Sequence, residues 1–364
     1  MEGVRIKTYD LVIIGAGVIG MSIARNLPGS LSVAIIDRNQ PGQRASYAAG
    51  GMLGAQNEFY EDNALYRLSM AGRAMMPEVI AALESETGHP IHFSQQGLIK
   101  YLSRPEDIGM FNRQYQFLSS TDSKVRLLQQ DDLKKLHAGI EGTSGIYIPD
   151  DGQIDAACYT MALKASLAHI DFYEEEVISL THDSHYRIRT DRNQFVCEKL
   201  LIAGGAWSQD LLAMLNIHLP VSGMRGEVCY MYHPTLELGP SLFGTNGCYI
   251  VPKHDHHYLI GATSHPDRET FVSDEGKDWL LTESSNMIPA LKDGEIIRTY
   301  SGVRPFTENH ALYLDECRPG LYIATGHYRN GILLSAITGR YMAELIQGRR
   351  DPVLNHFKLK EFTT

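Results

Sequence analysis

The sequence predicts an α/β fold of two interleaved domains, one built on a parallel sheet and one on an antiparallel sheet. A strand–glycine–helix segment lies near each end of the 364-residue chain. Between them, the stretch from Val221 to Thr263 alternates in the manner of an antiparallel sheet. Because no repeat or low-complexity linker divides the sequence, the two end segments are expected to return to one domain.

The predicted domains are therefore discontinuous. Residues 1–85, 150–220 and 300–364 are assigned to the first domain, and residues 86–149 and 221–299 to the second. The first is expected to bind a cofactor on its parallel sheet, and the second to contribute the substrate sheet.

The first element is an apolar strand that begins at Asp10 and runs into Gly15-x-Gly17-x-x-Gly20. Gly15 allows the tight turn, Gly17 lets a pyrophosphate approach the backbone, and Gly20 lets the next helix pack on the strand. A second strand then delivers Asp37, 20 residues after Gly17, where a ribose-binding carboxylate is expected. Together these features predict a Rossmann-like dinucleotide-binding domain.

Periodicity predicts the elements that follow. Apolar residues at helical spacing predict a helix over 63–86, and a strand follows at 97–102. Residues 105–140 are expected to be helical with loop breaks, and Asp155 is a predicted N-cap of a helix that ends at Ala168.

The remaining predictions concern strands and the last two helices. The acidic residues Glu174–Glu176 are expected on a solvated face, and Gly204-Gly205 at the end of a central strand is expected near the cofactor. The predicted strands are 172–180, 186–190, 199–207, 248–252, 258–262 and 320–325, with a hairpin loop at 253–257 and helices at 279–289 and 331–347.

Composition excludes several classes of protein. The formal net charge of −10 repels phosphate backbones, so no nucleic-acid partner is expected. Five scattered cysteines without a CxxC pair favour reduced thiols in the cytoplasm over a zinc site. Although His254, His256 and His257 lie close together, no carboxylate or thiol pattern supports a metal there. The sequence contains no uninterrupted apolar run of about 18 residues, so no membrane span is predicted.

Three further segments could carry chemistry. The small residues from Tyr47 to Gly54 could bring backbone close to a planar ring, although a flexible surface loop is the alternative. Arg304 and Tyr249 could bind a carboxylate, although a surface arginine and a core tyrosine are the alternative. The turn before Gly331 opens a helix whose positive end could face an anionic ring, or it is an ordinary helix start.

These segments resemble the FAD-dependent amine oxidases of the D-amino-acid oxidase and sarcosine oxidase family, and most of all the bacterial glycine oxidases linked to thiamine thiazole synthesis. The resemblance covers nearly the whole chain. Its most specific parts are residues 49–55, 246–253, 302–305 and 326–334.

The resemblance implies that glycine, and also sarcosine or small D-amino acids, are oxidised by hydride transfer to flavin N5. With glycine, the products would be glyoxylate, ammonia and hydrogen peroxide, with dioxygen as the electron acceptor. It also implies a homotetramer. Because no cysteine lies near Arg304, where the sarcosine branch tethers its flavin, the FAD is expected to be non-covalent.

The resemblance also assigns residues to roles. Arg304, Tyr249 and Arg329 would be catalytic and would line the substrate pocket with Met52 and Gly54. The residues expected to contact FAD are Gly15, Gly17, Val18, Ile19, Gly20, Asp37, Arg38, Arg44, Ala45, Ser46, Gly50, Gly51, Met52, Leu53, Val177, Ala203, Gly204, Trp207, Arg304, His327, Arg329, Asn330, Gly331, Ile332 and Leu333.

The chain departs from the family pattern at four places. Asp37 replaces the commoner glutamate, Gly50 replaces an alanine, and Tyr47 replaces a small residue. Residues 308–311 replace the usual turn after Arg304-Pro305. Two other functions stay open: a dehydrogenase of another small amino acid that uses a non-oxygen acceptor, and a flavin-binding subunit without turnover.

Overall fold

The computed structural model describes residues 6–137 and 139–359; residues 1–5, 138 and 360–364 of the predicted domains lie outside the described residues. The strands are β1 (Ile6–Ile14), β2 (Val33–Asp37), β3 (Leu98–Tyr101), β4 (Arg126–Gln129), β5 (Ser144–Ile148), β6 (Asp171–Glu174), β7 (Val177–His182), β8 (Tyr186–Thr190), β9 (Gln194–Ile202), β10 (Ser222–Tyr232), β11 (Ser241–Gly244), β12 (Tyr249–Pro252), β13 (His257–Gly261), β14 (Glu295–Phe306), β15 (Tyr313–Arg318) and β16 (Leu321–Thr325). The α-helices are α1 (Val18–Arg25), α2 (Ala64–Thr87), α3 (Ile108–Thr121), α4 (Gln130–Leu136), α5 (Ala156–Ser166), α6 (Ser208–Ala213), α7 (Asp274–Met287) and α8 (Gly331–Ile346).

The first sheet has the order β15-β16-β9-β1-β2-β6, and the β7–β8 hairpin adds to it beside β9. The strands from β16 to β6 run parallel. Leu11 and Ile13 of β1 belong to one apolar core, whereas Val12 and Ile14 belong to another on the opposite face. Burial on both faces explains the continuous apolar run that precedes the glycines.

The second sheet has the order β14-β10-β13-β12-β11-β3-β5-β4 and is antiparallel except where β3 pairs with β11. Its longest pairing joins β10 to β14, with Gly226 opposite Gly302 and Met224 opposite Arg304. The predicted fold class, with one parallel and one antiparallel sheet, is confirmed.

Several predicted helices are present with their caps. The side chain of Asn63 accepts a hydrogen bond from Tyr66 N at the start of α2, and Asp155 accepts one from Cys158 N at the start of α5. The helix predicted at 279–289 begins earlier, because Ser273 caps Gly276 N and α7 starts at Asp274. Within 105–140 the structure contains strand β4, which the helical prediction missed.

Two strand predictions need correction. The strand predicted at 172–180 is two strands, and Glu175 between them is 6% exposed. Glu175 accepts hydrogen bonds from Thr190 Oγ1 and Asn193 Nδ2, so it does not lie on a solvated face. The strand predicted at 199–207 begins at Gln194 and ends at Ile202, and a 3₁₀ turn (Gly205–Trp207) follows it.

The boundary predicted at residue 300 falls inside β14. Its pairing with β10 continues to Phe306, so residues 295–306 belong to the second sheet. In the described part of the chain, no helix is long and apolar enough to cross a membrane. No group of three or more histidine, cysteine, aspartate or glutamate side chains in that part comes together as a metal site.

Candidate active site

A cavity of about 380 Å³ joins the predicted cofactor end of the protein to the predicted substrate end. It extends from Asp37 and Val177 on the first sheet to Tyr249 and Arg304 on the second. All the predicted site residues line it except Gly20 and Leu333. The structure therefore brings together predicted residues that are as many as 317 positions apart, from Gly15 to Ile332.

Glycine is needed at the three fingerprint positions for different physical reasons. A Cβ on Gly15 would lie 2.2 Å from Ala203 O, and one on Gly20 would lie 2.0 Å from Gly15 O. The fold itself thus requires glycine at both positions. A Cβ on Gly17 would meet only Ser46 Oγ, at 3.5 Å, and Gly17 lines the cavity. Glycine at position 17 is therefore explained by a ligand that approaches the backbone, as the fingerprint predicts.

Side chains fix the loop that carries these glycines. The Asp37 carboxylate accepts hydrogen bonds from Ala16 N and Asn39 N, each at 2.9 Å. Ser46 Oγ accepts one from Val18 N at 2.9 Å. Both side chains also line the cavity, so their unused lone pairs are available to a ribose or a phosphate.

The end of the cavity near β7 has an aromatic and cationic wall. The Arg38 guanidinium lies over the Trp207 ring, 4.5 Å from its centroid, and comes within 3.9 Å of Glu176. Arg44 donates to Asn39 Oδ1 at 2.6 Å. This end offers one stacked surface and polar groups, an arrangement suited to a nucleotide base and its sugar.

A partly buried lysine, Lys253, contacts the small-residue segment 49–54. Lys253 Nζ donates to Gly50 O at 2.8 Å, to Gln153 Oε1 at 2.8 Å and to Ile154 O at 2.7 Å. Burial lowers the pKa of Lys253 to about 8. The sequence placed Lys253 in a hairpin loop, and no local pattern marks its contact with a segment some 200 residues earlier.

A buried carboxylate holds the other end of that segment. Asp151 Oδ1 accepts hydrogen bonds from Gly54 N at 2.8 Å and Gly152 N at 2.7 Å, whereas Oδ2 has no partner among the described residues. Burial raises the pKa of Asp151 to about 6, against the opposing effect of Arg73. The segment is therefore fixed at both ends and is not a flexible surface loop.

Arg304 and Tyr249 meet at the substrate end. Arg304 donates to Thr263 O at 3.2 Å and interacts with the Tyr249 hydroxyl, but it has no carboxylate within ion-pair distance among the described residues. Burial lowers the pKa of Arg304 and raises that of Tyr249. A guanidinium that lines a cavity without a protein counterion is a binding group for a ligand carboxylate.

Two glycines make room for this pair, and the sequence analysis missed both. A Cβ on Gly226 would lie 2.1 Å from Arg304 Nη2, and one on Gly261 would lie 2.4 Å from Tyr249 Cζ. Each functional side chain therefore lies flat on the backbone of a neighbouring strand. Since the cross-strand neighbour is set by register, only the pairing of the sheet reveals these glycines.

Arg329 has a partner that was not predicted. Its Nε lies 3.0 Å from Glu58 Oε1, and its guanidinium lies 4.9 Å from the centroid of the Phe243 ring. Glu58 and Phe243 also line the cavity. The charge of Arg329 is thus offset by a carboxylate, which weakens the prediction that it serves chiefly to stabilise an anionic ring.

The start of α8 offers a second source of positive potential. Gly331 and Ile332 line the cavity, and Asn330 makes no side-chain cap to the first amides of the helix. His327 nearby is buried, its ring contacts Thr338 Oγ1 at 3.1 Å, and burial lowers its pKa to about 3. His327 is therefore neutral at physiological pH.

The structure explains the departures from the family pattern. A Cβ on Gly50 would lie 3.1 Å from the Tyr249 ring, so glycine leaves Tyr249 its position. The Tyr47 hydroxyl accepts a hydrogen bond from Arg298 at 2.6 Å, which joins its loop to β14. After Arg304, His310 N donates a hydrogen bond to Thr307 O at 2.9 Å and closes a compact turn. The His310 ring packs on Tyr328.

Three features of the cavity fit a bound dinucleotide. They are the open space at Gly17, the Arg38–Trp207 stack near β7 and the N-terminus of α8, which has no side-chain cap. A family model described as "DAO: FAD dependent oxidoreductase" matches residues 10–345. The chain belongs to this family. FAD is accordingly the cofactor of this FAD-dependent oxidoreductase, and the protein is an amine oxidase in class.

The chain is similar in sequence and structure to glycine oxidases and in sequence to a bifunctional protein. It is 38% identical to glycine oxidase from Geobacillus kaustophilus (strain HTA426), over 93% of this chain and 93% of that protein. It is 30% identical to "Bifunctional protein ThiO/ThiG" from Synechocystis sp., over 98% of this chain and 54% of that protein. The crystal structure of the Geobacillus kaustophilus glycine oxidase superposes with a TM-score of 0.95 at 35% identity, covering 98% of this chain and all of that one.

Proposed function

We propose that this protein oxidises glycine to its imine, which water hydrolyses to glyoxylate and ammonia, and that it oxidises other small amines, such as sarcosine or small D-amino acids, to the corresponding imines. The observation that carries this proposal is the guanidinium of Arg304, which lines the cavity beside Tyr249 and has no carboxylate partner in the described part of the chain. The similarity to glycine oxidases over more than nine-tenths of the chain supports glycine as the substrate.

The side chains bind and orient the substrate. Arg304 would hold the carboxylate with two parallel N–H donors, and the Tyr249 hydroxyl would donate to the same group. FAD, when bound, supplies the two-electron acceptor for the hydride that leaves the α-carbon. Since Glu58 is paired with Arg329, the substrate amine would lose its proton to solvent before it reacts.

The α8 terminus would hold the anionic part of the cofactor. Gly331 and Ile332 line the cavity at the N-terminus of this 16-residue helix, where free amides and the helix dipole favour negative charge. Asp37 and Gly17 would hold its ribose and pyrophosphate. The cofactor would be bound non-covalently, because the five cysteines are free and none of them lines the cavity.

The first experiment is anaerobic mixing of the purified holoenzyme with glycine, followed by visible absorbance and then by admission of air. Loss of the yellow colour and its return with hydrogen peroxide release is the expected result. Bleaching that persists in air would replace dioxygen by another acceptor and make the protein a dehydrogenase. A flavin that neither glycine, sarcosine nor a small D-amino acid bleaches would refute the proposal.

The cellular setting is also part of the proposal. We propose a cytoplasmic homotetramer whose product enters thiamine thiazole synthesis, as the family resemblance implies. Free cysteines suit a reducing compartment, and the similarity to one half of a protein named ThiO/ThiG suits a coupled second activity. Light scattering of the purified protein tests the tetramer, and a mass of one or two chains would contradict it.

A further inference from the structure

We propose that Glu58 selects the substrate by charge: it restricts the pocket to amines with a single carboxylate and excludes those with two. This inference rests on the proposed function and names the substrate class of the same site. Glu58 acts through the arginine that it pairs with and through its own negative charge.

A continuous line of contacts joins the carboxylate anchor to Glu58. Arg304 interacts with Tyr249, and the Tyr249 ring stacks on Phe243 with centroids 5.8 Å apart. The Arg329 guanidinium lies 4.9 Å from the Phe243 centroid, and Arg329 Nε lies 3.0 Å from Glu58 Oε1. A small substrate held at Arg304 therefore has the Phe243–Arg329–Glu58 wall along the side of its pocket.

A second cation, Lys100, packs against the Phe243 ring of this wall. Lys100 Nζ also lies over Phe243, 4.4 Å from the ring centroid, and the lysine is 7% exposed with no hydrogen bond to it among the described residues. Two cations thus share the Phe243 ring, and Glu58 is the carboxylate that pairs with one of them. Without Glu58, Arg329, which lines the cavity, would attract a second substrate carboxylate, and the charge of Lys100 behind Phe243 would add to that attraction.

Space is available behind this wall. Arg329 also borders a second cavity of about 470 Å³, whose lining includes Asn246, His265 and Trp279. The exclusion of a larger substrate therefore does not follow from the shape of the pocket alone. A carboxylate that approaches Arg329 meets Glu58, and a like-charge contact of this kind weakens binding more than tenfold.

The test compares two substrates of similar size on Glu58 variants. Iminodiacetate has a second carboxylate where N-ethylglycine has a methyl group. In Glu58→Gln, the kcat/KM ratio of iminodiacetate to N-ethylglycine should rise at least about tenfold over wild type, mainly through KM. Glu58→Asp keeps the charge and should keep the wild-type ratio. Glu61→Gln removes an exposed charge from the same loop and serves as the control.

Binding provides a readout without turnover. Calorimetry of the holoenzyme should show tighter binding of malonate in Glu58→Gln than in wild type, with the affinity for glycolate changed much less. An unchanged malonate affinity and an unchanged substrate ratio in Glu58→Gln would overturn the inference, as would equal increases in Glu61→Gln. If glycine reduces the wild-type flavin but the ratio does not move, only this inference fails; if no small amine reduces it, the proposed function fails first.

Discussion

The dinucleotide cradle and the carboxylate pocket are built in opposite ways. The cradle uses backbone atoms from Gly15, Gly17 and neighbouring residues, and the carboxylate of Asp37, which fixes its loop, lies about 20 positions away. The pocket uses the side chains of Arg304 and Tyr249, which come from different strands of the second sheet. The comparison teaches that the cradle depends on local glycine geometry, whereas the pocket depends on long-range strand register.

The largest effect expected is at the pocket. Arg304→Ala should lower kcat/KM for glycine, because a bidentate charged contact is lost. The loss should correspond to about 3 kcal/mol or more of transition-state stabilisation. FAD affinity should change little, since the cradle lies elsewhere. Steady-state kinetics and flavin content measure the two quantities separately. Arg304→Lys should recover part of the activity, and Thr299→Ala, exposed on the same strand, should keep it all. Equal activity in Arg304→Ala would remove Arg304 from the site.

The cradle can be divided by its own glycines. Gly20→Ala should destabilise the protein by about 3 kcal/mol even without FAD, because its Cβ would lie 2.0 Å from Gly15 O. Gly17→Ala should leave the apoprotein as stable as wild type but weaken FAD binding, since its Cβ points into the cavity. Thermal unfolding of apoprotein and FAD titration distinguish the two. If Gly17→Ala binds FAD normally, the pyrophosphate does not lie against this glycine.

A matched test exists for the pocket. Gly226→Ala should push the Arg304 guanidinium away, because the new Cβ would lie 2.1 Å from Nη2. We expect about a tenfold loss of kcat/KM, carried mainly by KM, or about 1.4 kcal/mol. Gly109→Ala is the control, because no atom of the described chain lies within 4 Å of its added Cβ. An unchanged KM in Gly226→Ala would show that Arg304 tolerates displacement. It would contradict the conclusion that the pocket depends on strand register.

The smallest effect expected is a pH dependence at Asp151, whose carboxylate accepts a hydrogen bond from Gly54 N at the cavity. Burial raises its pKa to about 6, above the value in the unfolded chain, so its contribution to stability is greatest in acid and is lost as the pH rises through 6. The free energy of unfolding should therefore fall by about 1 kcal/mol between pH 5 and pH 7 relative to Asp151→Asn. Chemical denaturation at both pH values measures this difference. Parallel curves for the two proteins would contradict the raised pKa.

The sequence was informative where the residues of a functional feature lie close together along the chain. Gly15, Gly17, Gly20 and Asp37 lie in one strand–helix–strand unit, and their spacing predicted a cradle that the fold reproduces. The helix caps Asn63 and Asp155 are equally local, because a cap is recognised from its own first turn. Glu175 was misassigned for the opposite reason: its partners Thr190 and Asn193 lie on another turn.

The residues that sequence analysis missed act across the fold. Lys253 reaches Gly50 and Ile154, and Gly226 lies beneath Arg304 because β10 and β14 pair in one particular register. Glu58 reaches Arg329 from a loop about 270 positions earlier. No periodicity records such a contact, since the pattern of a segment describes its own secondary structure and its buried face only.

By itself the sequence determined the fold class, and it predicted the cofactor cradle and, through resemblance to a family, Arg304 and Tyr249 as the carboxylate anchors. Only the tertiary structure decided that Arg304 has no carboxylate partner among residues 6–137 and 139–359, that Arg329 has one, and which glycines make room for Arg304 and Tyr249. The physical reason is range: turn geometry and helix termini are properties of adjacent residues, whereas the charge balance of a pocket is a sum over side chains that folding brings together.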